Sequence, residues 1–327
     1  MIIRKLLSVG LILTSIFFGC SGDSSNPVSE SNTLPPGTKP ITDMNQSEFY
    51  KGMDGGLYGQ WSNEVPEDHR IAAIGELATI QPLDSLGNPS PDGKIVMVSI
   101  GMSNTNGAFD AFTEISESDP DLSPELVFVN GARPGNDAID WATDIKNSWE
   151  NVDVKLAQNN VYPLQVQVAW LYLAYRNPLE AFPVSAEKLK GYIKTILNTL
   201  KDKYPNVKIA YLTSREYAGY SEPGASNSEP FAYESVFANR WLIEEQINGD
   251  PDLNYNPAFG EIKAPLLLWG PYTWANGTTP RNDGLFWTRD DFSADGMHPS
   301  EQGYQKLGQL MHDFFKFNEL SSSWFNK

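Results

Sequence analysis

The sequence predicts an α/β protein whose parallel sheet is covered by helices on both faces. Three observations carry this. Five short apolar runs lie far apart along the chain, each ending on a polar residue or glycine, and longer stretches of helical periodicity separate them. Strands buried on both faces read as continuous apolar runs. Strand–helix alternation over this length supplies the long return crossings that parallel pairing needs.

The N-terminus stands outside that pattern. "MIIRKLLSVGLILTSIFFGC" places Arg4 and Lys5 before an apolar run from Leu6 to Phe18. This reads as the leader of an exported protein, too short for a comfortable membrane span. The ending Phe17-Phe18-Gly19-Cys20 resembles the bacterial lipoprotein signal, in which the cysteine becomes the lipidated N-terminus. That implies a chain anchored at the cell envelope by lipid on Cys20, on the periplasmic or surface side. Cys20 is the only cysteine, so the fold stands without an internal disulfide. Residues 21–45, rich at first in Ser, Pro, Gly and Asn, are expected to be a disordered tether. Residues 46–327 are then one globular domain.

The formal charge is −17, with 24 basic against 41 acidic residues. No cluster of Lys and Arg is available to displace phosphate counterions, which excludes nucleic acid as a partner. Nor does any phosphate-cradling Gly-x-x-x-x-Gly-Lys occur. Only three histidines are present, two of them away from any ligand cluster, so neither metal nor cofactor is expected. His69 and His312 read as surface residues without a chemical role.

In order, the strands are expected at 94–100, 125–130, 164–170, 207–214 and 264–270. Helices are expected at 137–158, 185–204, 232–247 and 300–317. The second of these shows Leu189, Ile193, Ile196, Leu197 and Leu200 at three–four spacing behind a capping Ser185. Ligand-handling groups in such sheets gather beyond the carboxyl ends of the strands.

Three loops there draw notice. "SIGMSNTNG" puts Ser103 just past the first strand, where it reads as a nucleophile or as a helix cap. "NGARPGND" frames a turn with Gly131 and Gly135, either an ordinary turn or a place where a backbone N–H approaches a ligand. "DGMHPS" sets Asp295 three residues before His298, close enough to hold Nδ1–H and leave Nε2 free as a base.

Together and in this order, "IGMSNT", "NGARPG" and "DGMHPS" resemble the first, second and last sequence blocks of the SGNH (GDSL-type) hydrolases. The resemblance spans about residues 94 to 316. These are serine esterases and lipases on a flavodoxin-like three-layer α/β/α sandwich with a five-stranded parallel sheet. The resemblance implies Ser103 as nucleophile, His298 as base, Asp295 as its orienting partner, and the N–H groups of Gly135 and Ser103 as oxyanion donors. Two departures stand out. The first block reads Gly-Met-Ser-Asn instead of Gly-Asp-Ser-Leu. The asparagine expected after the third strand is missing near Tyr172 and Leu173, a loss that typically costs ~10²–10³ in kcat. Tyr172, Asn104 and Asn136 are the candidates to replace it, and Tyr172 is also an expected substrate contact.

Beyond the blocks, Arg215, Tyr217 and Tyr220 follow the fourth strand, as substrate contacts or as an internal salt bridge with packing. Trp269, Tyr272, Trp274 and Trp287 lie in one long loop, offering sugar-stacking faces or a small core of their own. Two functions follow. One is an extracytoplasmic serine esterase acting on a small-molecule or polysaccharide ester, with acetyl a candidate acyl group. The other is a catalytically inactive, surface-anchored glycan-binding protein on the same fold.

Overall fold

The structure is a computed structural model and describes residues 34–327 apart from 177, 179, 223, 224 and 226. Residues 1–33, which hold the expected leader and Cys20, lie outside the described residues.

Five strands form the sheet: β1 (Ile95–Gly101), β2 (Leu126–Val129), β3 (Val166–Tyr172), β4 (Ile209–Thr213) and β5 (Leu266–Trp269). All pairings are parallel, in the order β2-β1-β3-β4-β5, which is the flavodoxin-like arrangement. The helices are α1 (Glu67–Leu77), α2 (Ser103–Glu117), α3 (Ala138–Thr143), α4 (Ser148–Gln158), α5 (Val184–Lys203), α6 (Phe231–Ile247), α7 (Glu301–Phe317) and α8 (Ser322–Phe325).

The strands are apolar throughout because both faces are covered. In β1, Val96, Val98 and Ile100 enter one core with α3 to α6. Ile95 and Met97 enter the other, with α1, α2, α7 and α8. That alternation follows from the two-residue period of a strand. The chain leaves β1 for β2 on one side and returns to β3 on the other. The reversal opens a crevice at the carboxyl ends of β1 and β3.

Two expectations change. The helix expected at 137–158 is broken into α3 and α4, because Asp144 and Asn147 take left-handed backbone (φ 50° and 52°). Asp and Asn tolerate that conformation better than other non-glycine residues. The tether also ends earlier than 45. Ile41 is fully buried in the core, and the carbonyls of Thr38 and Lys39 accept hydrogen bonds from Asn276 Nδ2 and the Tyr233 hydroxyl, each at 2.9 Å. Ile41 and Met44 are the apolar anchors that the polar composition upstream obscured. Residues 46–90 add no strand among the described residues; they wrap the sheet, with His69 of α1 bonded to the Leu267 carbonyl at 2.8 Å.

Candidate active site

Gly101 ends β1 where the backbone is crowded. A Cβ there would sit 2.1 Å from Thr105 Oγ1 and 2.4 Å from the Tyr172 carbonyl oxygen. Only glycine fits. Met102 follows in extended conformation, and its N–H donates to Thr105 Oγ1 at 2.9 Å. The Thr105 hydroxyl in turn donates to the Tyr172 carbonyl at 2.5 Å. This clamp ties the first turn of α2 to β3 and sets Ser103 at the mouth of the crevice.

The second loop lies beside it. Arg133 N–H donates to the Gly101 carbonyl at 2.9 Å, and Trp141 Nε1 donates to the same oxygen at 3.0 Å. Gly135 has φ +82°, and a Cβ there would meet nothing within 4 Å. Neither the Ser103 N–H nor the Gly135 N–H donates a hydrogen bond among the described residues.

The third loop is shaped by buried Asp291. Its carboxylate accepts from Thr288 N–H, Gln302 Nε2 and Lys306 Nζ, and its carbonyl from Ser300 N–H at 2.9 Å. Ser300 caps α7 through Gly303 N–H at 3.2 Å. Between them Gly296 turns at φ +70°, pressed so close to Tyr220 that a Cβ would lie 2.0 Å from its carbonyl oxygen. The turn carries Asp295 and His298.

Three of the expected site residues meet in one chain of hydrogen bonds. Ser103 Oγ lies 2.9 Å from His298 Nε2, and His298 Nδ1 lies 2.6 Å from Asp295 Oδ2. Asp295 Oδ1 accepts from the N–H groups of Met297 and His298, at 2.9 and 3.0 Å. Burial works against the charge on Asp295, but the His298 donor and these two N–H groups hold its carboxyl below the usual range. An ionised Asp295 puts the imidazole proton on Nδ1 and leaves Nε2 to accept from Ser103. The group is open: the side chains of His298 and Asp295 are 42% and 51% exposed.

The expected substrate contacts are placed differently. Arg215 is 3% exposed and Tyr172 1%, so neither offers a surface to a substrate. Arg215 is bonded internally to Glu216. Trp274 is also 1% exposed. Its Nε1 donates to Glu229 at 2.8 Å, and its ring packs against Tyr233 at 4.6 Å. The aromatics of this stretch thus fill the two main cores, Trp269, Tyr272 and Trp274 beside Val96 and Tyr233, and Trp287 beside Met97 and Phe292. The replacements suggested for the missing asparagine are likewise engaged. Asn104 spends its amide on Glu216 and the Met297 carbonyl, Asn136 donates to Ser148, and the Tyr172 hydroxyl is buried, accepting from Glu216 N–H.

His69 and His312 are buried, not on the surface. His312 even mimics the site, with Nδ1 3.2 Å from Ser116 Oγ and Nε2 3.0 Å from Asp119. Ser116 is fully buried, so no substrate reaches it. Sequence reading passed over Glu216. Its one signal was a charged Arg-Glu pair at the carboxyl end of an apolar strand.

Among the described residues, no group of three or more His, Cys, Asp or Glu could hold a metal ion, and no helix is long and apolar enough to cross a membrane.

No family model matches the sequence, and no curated protein does. Several solved structures are similar. A carbohydrate esterase family 3 protein from Talaromyces cellulolyticus is 15% identical over 67% of this chain and 94% of its own, with a TM-score of 0.40. An acetyl xylan esterase is 12% identical over 66% and 98%, TM-score 0.39. The periplasmic domain of a lipopolysaccharide acetyltransferase from Salmonella ser. Paratyphi A is 15% identical over 77% and 97%, TM-score 0.34. Likenesses this distant carry no functional weight.

Proposed function

We propose that this chain is a serine esterase of the SGNH type, removing a small acyl group such as acetyl from a carbohydrate hydroxyl. The reading rests on one observation: the hydrogen-bond chain from Ser103 Oγ through His298 to Asp295, with links of 2.9 and 2.6 Å. A serine hydroxyl is a weak nucleophile until a neighbouring imidazole takes its proton. His298 Nε2 accepts that proton as Oγ attacks the ester carbonyl. The developing oxyanion draws on the N–H groups of Ser103 and Gly135, neither of which donates a hydrogen bond among the described residues. His298 then protonates the leaving alkoxide, and a water repeats the sequence to free the acid.

The alcohol is inferred from two features. The half-exposed side chains of His298 and Asp295 leave room for a bulky leaving group. A net charge of −17 repels polyanionic substrates and favours neutral hydroxyl esters. With no side-chain donor found for the third oxyanion position, turnover is expected to be slow, about 10²–10³ below that of a complete hole. The silent glycan-binding reading is weaker, since its stacking residue Trp274 is buried. We also propose attachment to the cell envelope through lipid on Cys20; palmitate labelling lost in Cys20→Ser tests it.

Acetate and p-nitrophenol release by the purified protein, set beside Ser103→Ala, tests the chemistry. Loss of activity and of fluorophosphonate labelling in the variant is expected. Equal rates from both proteins would end the esterase reading.

A further inference from the structure

A buried polar network beside Ser103 has no part in the proton chain. Asn104, the next residue, is 4% exposed, and Glu216, beyond the end of β4, is fully buried. Asn104 Nδ2 donates to Glu216 Oε1 at 2.5 Å and to the Met297 carbonyl at 3.2 Å. Arg215 donates to both Glu216 oxygens, at 3.0 Å from Nη2 and 3.4 Å from Nε. Glu216 N–H donates to the Tyr172 hydroxyl at 3.3 Å. Burial pushes the Glu216 carboxyl up, the Asn104 hydrogen bond pulls it the other way, and the Arg215 guanidinium lies against it at 3.0 Å. The neighbouring carboxylate, Glu229, is held by its own donors, Trp274 Nε1 and the N–H groups of Ala218 and Tyr233.

The network decides how the Asn104 amide sits. Two acceptors, Glu216 and the Met297 carbonyl, face its NH₂ group, so Oδ1 is turned to the Ser103 hydroxyl at 3.5 Å. One side chain thereby joins the start of α2, the segment after β4 and the residue before His298. Ser103 and His298 arrive from 195 positions apart, and a single hydrogen bond at a half-exposed histidine is a weak tie. A buried ion pair is poor value as a stability device, because well-packed apolar residues often do as well.

We propose that Asn104, locked by Glu216, is a positioning residue that sets the spacing between Ser103 and His298. This rests on the esterase reading. A misplacement of about 1 Å in a reacting group costs on the order of 10²-fold in rate.

The test uses the full-length chain with p-nitrophenyl acetate. Asn104→Leu removes the amide at nearly constant shape and leaves Glu216 paired with Arg215. The expected result is a kcat about 10- to 100-fold lower, KM within about threefold and an unchanged near-UV spectrum. Should Asn104→Leu fail to fold, Asn104→Ser, which adds no bulk, is read in its place. A folded variant that keeps kcat within threefold, or that raises KM alone, overturns the positioning role and leaves the esterase reading standing. Wild-type rates equal to those of Ser103→Ala remove the esterase reading, and the positioning role with it.

Discussion

Replacing Asp295 by Asn tests the proton chain at its outer end. Asp295 accepts three hydrogen bonds: Oδ2 from His298 Nδ1, and Oδ1 from the N–H groups of Met297 and His298. Asparagine has one acceptor oxygen. If it stays on the two backbone N–H groups, its NH₂ faces Nδ1, the ring proton moves to Nε2, and Ser103 loses its base. Turned over, the oxygen restores the productive tautomer but gives up both backbone hydrogen bonds, at about 0.5–1.5 kcal/mol each. The productive orientation is then outnumbered about 5- to 150-fold. The imidazolium formed in the reaction also loses a charge-assisted bond of about 1.5–3 kcal/mol. The combined loss in kcat is roughly 10²–10⁴. Because the Asp295 side chain is half exposed, water replaces part of that stabilisation, and about 10²–10³ is expected. Initial rates at saturating p-nitrophenyl acetate measure it, with near-UV circular dichroism to show that the fold is intact. A folded variant turning over within threefold of wild type would refute the proposed role of the carboxylate.

Gly135→Ala forces a side chain into left-handed backbone (φ +82°) at a place with open space around it. A stability loss of about 1–2 kcal/mol is expected from the backbone alone, with kcat down about tenfold or more as the N–H shifts; urea melts and kinetics check both. Trp274→Ala empties a core site and strips a donor from Glu229, so it should cost about 3–5 kcal/mol of stability. Lost sugar affinity at unchanged stability would contradict its burial. His69 is held below the usual histidine range by burial, against the pull of its bond to Leu267. The unfolded chain therefore binds the extra proton first, so this contribution is complete above about pH 6.5 and is lost as pH falls below it. His69→Gln keeps a donor for Leu267 and should flatten that fall in urea unfolding between pH 5 and 8.

What was legible in the sequence was local. Apolar runs marked all five strands because each strand is covered on both faces. The pairing of Asp295 with His298 was legible because three residues of one turn span it. The tether boundary and the break at Asp144 were harder, since one buried isoleucine or two left-handed residues outweigh average composition.

Motif order alone set Ser103 and Gly135 beyond the carboxyl ends of β1 and β2, because a parallel sheet sends those loops to the same rim, whereas His298 reaches it from the long segment between β5 and α7. Tertiary packing alone decided which polar and aromatic residues face a substrate. Trp274, Tyr172 and Arg215 look the same in a string whether they line a cleft or fill a core, and only their neighbours make them core. Ser116, His312 and Asp119 make the same point in reverse: three suitable groups in contact, sealed away from any substrate. Periodicity is a property of neighbours along the chain, whereas access and the 2.9 Å meeting of Ser103 with His298 depend on contacts between segments far apart in it.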